Sequence, residues 1–165
     1  MGVVQVASML NRTVSVANRL LGSLQIFGGW FAFYVLLVSL EQSVGIWGMF
    51  LALGLATVGA IGAWCGIKLL EGNCDAIADC MWYWAIQIPI VATSALSAQV
   101  WLGVEAPVLL AFSSMKVSSQ MNMGAEVTLQ LGGGQAANSL GVNAFALLAA
   151  GYFRWLRDAR SSLRA

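Results

Sequence analysis

Charged residues divide the sequence into long apolar blocks. No Asp, Glu, Lys or Arg occurs in residues 20–40, 42–67, 80–104 or 127–153. Each block is long enough for a membrane-crossing helix, since about 20 apolar residues at 1.5 Å per residue cover the hydrocarbon core. The pattern predicts an all-α membrane protein with four transmembrane helices. We expect helices 1–3 within residues 23–112, and the fourth within residues 136–165, where it continues into a basic tail.

The first 22 residues combine an apolar helical face with basic side chains. The apolar positions at helical spacing are Val3, Val6, Ala7, Leu10, Val14, Ala17 and Leu21. Arg12 and Arg19 are the only charged residues here. This composition is typical of an amphipathic helix that lies in the headgroup plane, and we assign residues 1–22 to one. The alternative is that the segment extends the first transmembrane helix as one long helix.

Small residues recur at four-residue intervals in the second apolar block. They are Gly48, Ala52, Ala56 and Ala60, then Gly59 with Ala63, and Gly62 with Gly66. Small side chains let helix backbones approach closely, and in lipid such packing replaces the hydrophobic drive between helices. The spacing therefore predicts a central position for the second helix.

Strict alternation of apolar and polar residues covers the segment 115–131. The apolar positions include Met115, Val117, Met121, Ala125, Val127, Leu129 and Leu131. Alternation of this length predicts strands. A three-residue turn at 122–124 makes a β-hairpin that pairs Met121 with Ala125. We expect an extramembrane hairpin and glycine-rich link at 113–135, which covers the chain's own helices, docks on a partner subunit, or pairs with further copies as a ring.

Two sets of charges lie close to the ends of the predicted helices. Glu71, Asp75 and Asp79 recur every four residues after the second helix, and Arg154, Arg157 and Arg160 recur every three residues after the fourth. One interpretation is solvated headgroup-region charge, with arginines favouring anionic lipid. The other is an ion-paired clasp between the two helices, or the same charges meeting a partner.

Composition agrees with a membrane protein and narrows its chemistry. Hydrophobic residues make up 59% of the 165, charged residues 9%, the net charge is +1, and histidine is missing. A soluble domain has about 25% charged residues. The charge balance predicts no nucleic-acid partner. The missing histidine removes the usual general base and the commonest metal ligand.

Basic residues also predict the orientation. Four helices with both termini inside place seven of the eight Lys and Arg residues on the inner side, with Lys116 alone outside. By the positive-inside rule, this side is the cytoplasm or the mitochondrial matrix, and the membrane is a bacterial or organellar inner membrane.

The predicted function is that of a non-catalytic structural or accessory subunit in a larger membrane complex. Its partners are the bilayer and other subunits or copies of itself, and no cofactor is expected beyond bound lipids. The sequence has neither a nucleophile–base pair nor a phosphate loop, so no enzyme is predicted. The alternative is a homo-oligomeric, holin-like pore. A small transporter would need a cavity around Gln87 and Pro89.

Overall fold

The computed structural model describes residues 3–41, 45–73, 75–93, 96–112, 114–131 and 138–162. These described residues form four helices and six strands. The helices are α1 (Val3–Glu41), α2 (Ile46–Leu70), α3 (Ala76–Ala85) and α4 (Ala144–Ser162). The strands are β1 (Pro89–Ala92), β2 (Leu96–Glu105), β3 (Pro107–Ala111), β4 (Lys116–Ser119), β5 (Asn122–Leu131) and β6 (Ser139–Asn143).

Helices α1 and α2 form an antiparallel helical hairpin held by glycine contacts. A Cβ atom added to Gly59 would lie 2.5 Å from the Cβ of Ala32, and one on Gly66 would lie 2.5 Å from the carbonyl oxygen of Gly22. A Cβ on Gly29 would lie 2.6 Å from the carbonyl oxygen of Gly59. The glycines therefore allow the two backbones to touch at points two helical turns apart.

Helices α3 and α4 pack beside the end of the hairpin at which α2 ends. The Tyr83 ring lies on Gly62 of α2. The rings of Trp84 and Phe145 meet edge-on at 5.3 Å between centroids, which joins α3 to α4. Tyr152 of α4 donates a hydrogen bond of 2.8 Å to Asn18 of α1. These contacts leave the opposite half of the hairpin, towards Glu41 and Ile46, without α3 or α4 beside it.

The six strands form one antiparallel sheet in the order β4-β3-β6-β1-β2-β5. Strands β4 and β5 are the two end strands, yet only residues 120–121 connect them. A flat six-stranded sheet would separate its ends by about 24 Å at 4.8 Å per strand. Three Cα–Cα steps of 3.8 Å span at most about 11 Å. The sheet is therefore curled, so that its ends approach each other at this connection.

Strand β2 is itself bent. Its Gln99 side chain reaches Glu105, six residues further along the same strand. A straight strand would separate these two residues by about 20 Å. Gly103, with φ +94°, lies between them in a conformation that favours glycine.

The predicted fold class, an all-α protein with four transmembrane helices, is wrong. The third predicted helix is the ten-residue α3 followed by β1 and β2, and the fourth, expected within residues 136–165, is divided between β6 and α4. Pro89 is the first residue of β1, a position where a strand tolerates the missing N–H. Asn143 ends β6, and its Oδ1 accepts the Ala146 N–H at 3.3 Å and caps α4.

The predicted β-hairpin is also wrong, although residues 116–119 and 122–131 are strands. β4 pairs with β3 and β5 pairs with β2, so that Ala125 faces Leu102 and Leu129 faces Ala98. The predicted turn residues 122–124 lie inside β5. At the N-terminus, α1 runs unbroken from Val3 to Glu41, so the alternative of one long helix describes this segment.

Candidate functional site

Among the described residues, two helical segments are long and apolar enough to cross a membrane. They are Ser15–Glu41 of α1 and the whole of α2, Ile46–Leu70. Only 22% and 33% of their most apolar windows are buried inside the protein. A core helix of a soluble domain is mostly buried, so the uncovered apolar surface indicates association with a membrane.

Aromatic side chains stand near both ends of the second segment. Trp47 is 78% exposed and Trp64 is 60% exposed. They are 17 residues apart, about 25 Å along a helix. The Nζ atom of Lys68 lies 5.2 Å from the centre of the Trp64 ring. Tryptophan near a helix end, followed by a lysine, is typical of the boundary between hydrocarbon and headgroups.

The curled sheet is attached to the middle of α1. A Cβ on Gly28 would lie 2.9 Å from the backbone nitrogen of Gly103 and 2.9 Å from the carbonyl carbon of Leu102. Gly28 is nine residues from Arg19 and thirteen from Glu41, or about 14 Å and 20 Å along the helix. Strand β2 therefore contacts the candidate span well inside its apolar length.

Buried amides and thiols connect the sheet and α3 to the hairpin. Gln87 is fully buried; its Oε1 accepts the Leu102 N–H at 2.7 Å and its Nε2 donates to the Tyr83 carbonyl at 3.1 Å. The Cys80 thiol donates to Gln25 Oε1 at 3.4 Å. Cys65 and Cys80 are free and buried, and burial raises the pKa of Cys80 to about 12. The hydrogen bonds of Gln87 and Cys80 are therefore structural connections between elements.

A carboxylate is buried within the bent strand β2. Glu105 is 1% exposed and accepts hydrogen bonds from Gln99 and, at 3.1 Å, from Asn122. Burial raises its pKa above the ordinary glutamate value, while the two amide donors act in the opposite direction. Desolvation of the charged form is the larger effect here.

One face of the sheet presents uncovered apolar side chains. Val108 pairs with Val142, and Leu110 lies between Leu140 and Val117 in the register of β3, β4 and β6. Val117 and Leu140 are 69% and 54% exposed. A contiguous exposed apolar patch of this kind is typical of an interaction surface.

The predicted helix-packing residues occupy different environments on α2. Gly59, Gly62, Gly66 and Ala52 are buried. Gly48, Ala56 and Ala63 are half-buried, and Ala60 is exposed. Gly59 and Gly66 face α1, whereas Gly62 faces Tyr83 of α3. The structure therefore divides the small residues between two helix contacts and leaves Ala60 in neither.

The predicted hairpin residues are distributed over two strands at opposite ends of the sheet. Met115 precedes β4 with φ +50°, and it is exposed together with Val117 and Met121. Ala125 is half-buried. In β5, the backbones of Val127, Leu129 and Leu131 pair with Val100, Ala98 and Leu96.

The two predicted charge stripes are not joined by ion pairs among the described residues. Arg154 and Arg157 lie 4.0 Å and 3.4 Å from carboxylate oxygens of Asp158 on the same helix, and Arg160 is half-buried. Glu71, Asp75 and Asp79 are exposed. They do not share one helix, because α2 ends at Leu70 and Gly72, with φ +78°, turns the chain towards α3.

Sequence reasoning did not identify Gly103 or Glu105 as structural residues. Gly103 carried a signal, since a glycine inside a strand pattern often marks a bend or a close backbone approach. In the part of the chain that the structure describes, no group of three or more Cys, Asp or Glu side chains could hold a metal ion. Cys74 and the glycines 132–134 lie outside the described residues.

Comparisons of the chain with protein-family models, with curated proteins and with solved structures find no match. The class that the geometry defines is a membrane-associated protein with two candidate spans and an attached antiparallel sheet.

Proposed function

We propose that the protein is a non-catalytic structural subunit of a membrane-embedded assembly. The α1–α2 hairpin crosses the bilayer, and the curled sheet contacts neighbouring subunits. The charge-free lengths support the crossing. Arg19 to Glu41 and Ile46 to Lys68 each cover 22 residue steps, about 33 Å, against about 30 Å of hydrocarbon.

The distribution of basic residues supports one orientation of this hairpin. With two spans, Arg19, Lys68 and the arginines of α4 lie on the side of the two termini, and the connection between the spans has no Lys or Arg. The positive-inside rule then places both termini in the cytoplasm or the mitochondrial matrix.

The observation that carries the proposal is the depth of the sheet. Strand β2 meets α1 at Gly28, about 14 Å beyond Arg19. The sheet has two end strands, and open sheet edges are not tolerated in contact with lipid. A sheet at this depth needs protein around it. Neighbouring subunits on the apolar face around Val117 would supply that cover.

Photo-crosslinking in the native membrane tests this. A photoreactive residue in place of Val117 on the sheet should form covalent adducts with protein. The matched control is Leu53 on α2, an equally apolar position that is 54% exposed and faces lipid in our proposal. Native mass spectrometry of the extracted complex then gives composition. Adducts to other subunits support the proposal, whereas a monomer without adducts at position 117 contradicts it.

A homo-oligomeric pore is the second candidate. Irregular or open backbone at membrane depth is also tolerated where it lines a water-filled cavity, and the end strands β4 and β5 are available for pairing with further copies. In this case the Val117 adducts would join identical chains, and the purified oligomer would conduct ions in planar bilayers. A homo-oligomer without conductance would rule the pore out.

A further inference from the structure

An apolar groove of about 440 Å³ runs between α2 and α3 on the outer surface of the helices. Its walls include Ile61 and Trp64 from α2, Trp82 from α3, and Ile86, the residue that follows α3; all four are exposed. The one charged side chain in the lining is Asp79. The groove is therefore a long apolar surface with a carboxylate at one end.

The register of the two helices gives the groove a direction. Gly62 lies against Tyr83, and Cys80 bonds to the Cys65 carbonyl, so the helices are antiparallel with 62 opposite 83 and 65 opposite 80. Each wall then runs about 10 Å, from Val58 and Ile86 at the deep end to Cys65 and Asp79 at the charged end. The length suits part of an acyl chain within one leaflet, since a leaflet is about 15 Å of hydrocarbon.

Two tryptophans line the shallow part of the groove, Trp64 from α2 and Trp82 from α3. In the same register, Trp82 lies level with Ala63, one residue from Trp64 along the helix axis. The Lys68 Nζ atom lies 5.2 Å from the centre of the Trp64 ring, and Lys68 is one helical turn further along α2. Asp79 lies level with Gly66, about 3 Å along the axis from Lys68. An ammonium group on the Trp64 ring and a carboxylate in the groove lining therefore lie at nearly the same level at this end of the groove.

The surrounding charge at this mouth is acidic. Glu71 and Asp75 follow in the turn between the helices, so three carboxylates accompany one lysine. Arg154 and Arg157 of α4 pair with Asp158 on their own helix, and no arginine of α4 lines the groove. A purely anionic headgroup would meet net repulsion here, while a headgroup with both a phosphate and an ammonium would find a partner for each.

We propose that this groove binds one phospholipid with a primary ammonium headgroup, of the phosphatidylethanolamine type. An acyl chain lies between α2 and α3, the phosphate meets Lys68, and the ammonium donates hydrogen bonds to Asp79. The inference rests on the membrane embedding of the proposed function and adds a lipid class to it. Tyr83 also lines the groove and is 4% exposed. Its hydroxyl lies near the Gln87 amide but makes no hydrogen bond of normal geometry.

Native mass spectrometry of the full-length protein tests the proposal. The detergent-purified protein is titrated with palmitoyl-oleoyl phosphatidylethanolamine, phosphatidylcholine and phosphatidylglycerol in parallel. We expect one retained phosphatidylethanolamine per chain, preferred over the other two by about threefold to fivefold, the size of one partly exposed charge interaction. Phosphatidylcholine cannot donate hydrogen bonds from its quaternary ammonium.

Three variants identify the site. Asp79→Asn should abolish the preference for phosphatidylethanolamine, while Asp75→Asn, an exposed carboxylate one helical turn away that does not line the groove, should keep it. Ile61→Trp should fill the groove and lower the retention of all three lipids. Circular dichroism confirms that each variant is folded as the parent.

Two results would overturn the proposal. One is equal retention of the three lipids, or stronger retention of phosphatidylglycerol. The other is an equal loss in Asp79→Asn and Asp75→Asn, which would indicate surface charge alone. Neither result affects the proposed assembly, because the subunit composition read from the same spectra is independent of lipid preference.

Discussion

Gly28 of α1 and Gly103 of β2 lie in direct backbone contact: a Cβ on Gly28 would be 2.9 Å from the Gly103 nitrogen, and one on Gly103 would be 3.0 Å from the Leu24 carbonyl oxygen. A helix and a strand approach this closely only without side chains between them. The contact fixes where the sheet stands along the helical hairpin. It is thus the connection between the candidate membrane anchor and the rest of the molecule.

Gly28→Ala should destabilise the protein by about 1–3 kcal/mol, because the added methyl meets backbone atoms that cannot rotate away. Gly54→Ala on α2 is the control, since no atom lies within 4 Å of its added Cβ. There alanine should be neutral or stabilising by about 0.5–1 kcal/mol. Thermal unfolding in one detergent compares the two. Equal midpoints would contradict the close contact.

Gly62→Ala should displace the Tyr83 ring, whose Cζ atom would lie 2.6 Å from the new methyl group. We expect a clear loss of unfolding free energy for the single variant. Tyr83→Leu removes the ring and should make the second change at 62 much less costly. A double-mutant cycle measures this, with a coupling of about 0.5–3 kcal/mol expected for contacting residues. Strict additivity would show that the two residues are not in contact.

Gln87→Leu should cost about 1–3 kcal/mol, since it leaves the buried Leu102 N–H without its acceptor. The exposed Gln120 provides the same substitution without burial, and Gln120→Leu should leave the unfolding midpoint unchanged. If Gln87 lined a transport path, Gln87→Leu would instead lose transport while its stability stayed unchanged. The two readouts therefore separate a structural role from a transport role.

Glu105 should make the protein less stable as pH rises. Its folded pKa is above the ordinary value of 4.5 because of burial, so the folded state holds its proton more tightly than the unfolded state. Stability is highest below the unfolded pKa, falls between the unfolded and the folded pKa, and is constant above both. Glu105→Gln removes the charge and should flatten this part of the pH profile. Denaturation midpoints from pH 4 to pH 8 test this, and an unchanged slope would contradict it.

Single cysteines should report the two sides of the proposed hairpin. In a background without Cys65, Cys74 and Cys80, a cysteine replaces Gly45 at the start of α2 or Glu71 after its end; both positions are exposed. An impermeant maleimide added outside intact cells should label position 45 alone. In inverted vesicles it should label position 71 alone. Labelling of both from one side would contradict a crossing hairpin.

The first two helices were predictable because their composition and packing agree. Their charge-free length exceeds 20 residues, and the glycines of α2 meet glycines of α1. Composition alone gave the wrong prediction for the blocks 80–104 and 127–153, because they are equally poor in charged residues. Pro89 and Asn143 were the available boundary signals, one at the start of a strand and the other at a helix cap.

The strand pairing could not be predicted from alternation. Alternation at 115–131 fixes which residues share a face, but it does not specify the partner strand. β5 pairs with β2, most of which lies in the block 80–104 that resembles a transmembrane helix, and β4 pairs with β3, which follows that block. The buried Glu105 was equally hidden, because its two amide partners meet it only through the bend at Gly103.

The place of β6 in the sheet has a consequence for biogenesis. β6 is the last strand synthesised, yet it lies between β3 and β1 and pairs with both. Until Asn143 has left the ribosome, the sheet exists only as two separate pieces, β4–β3 and β1–β2–β5. The helical hairpin is complete by residue 70, before the sheet can close. Nascent chains therefore pass through a stage in which a finished helical hairpin carries an unfinished sheet, whose strands are open to pairing with any other chain nearby.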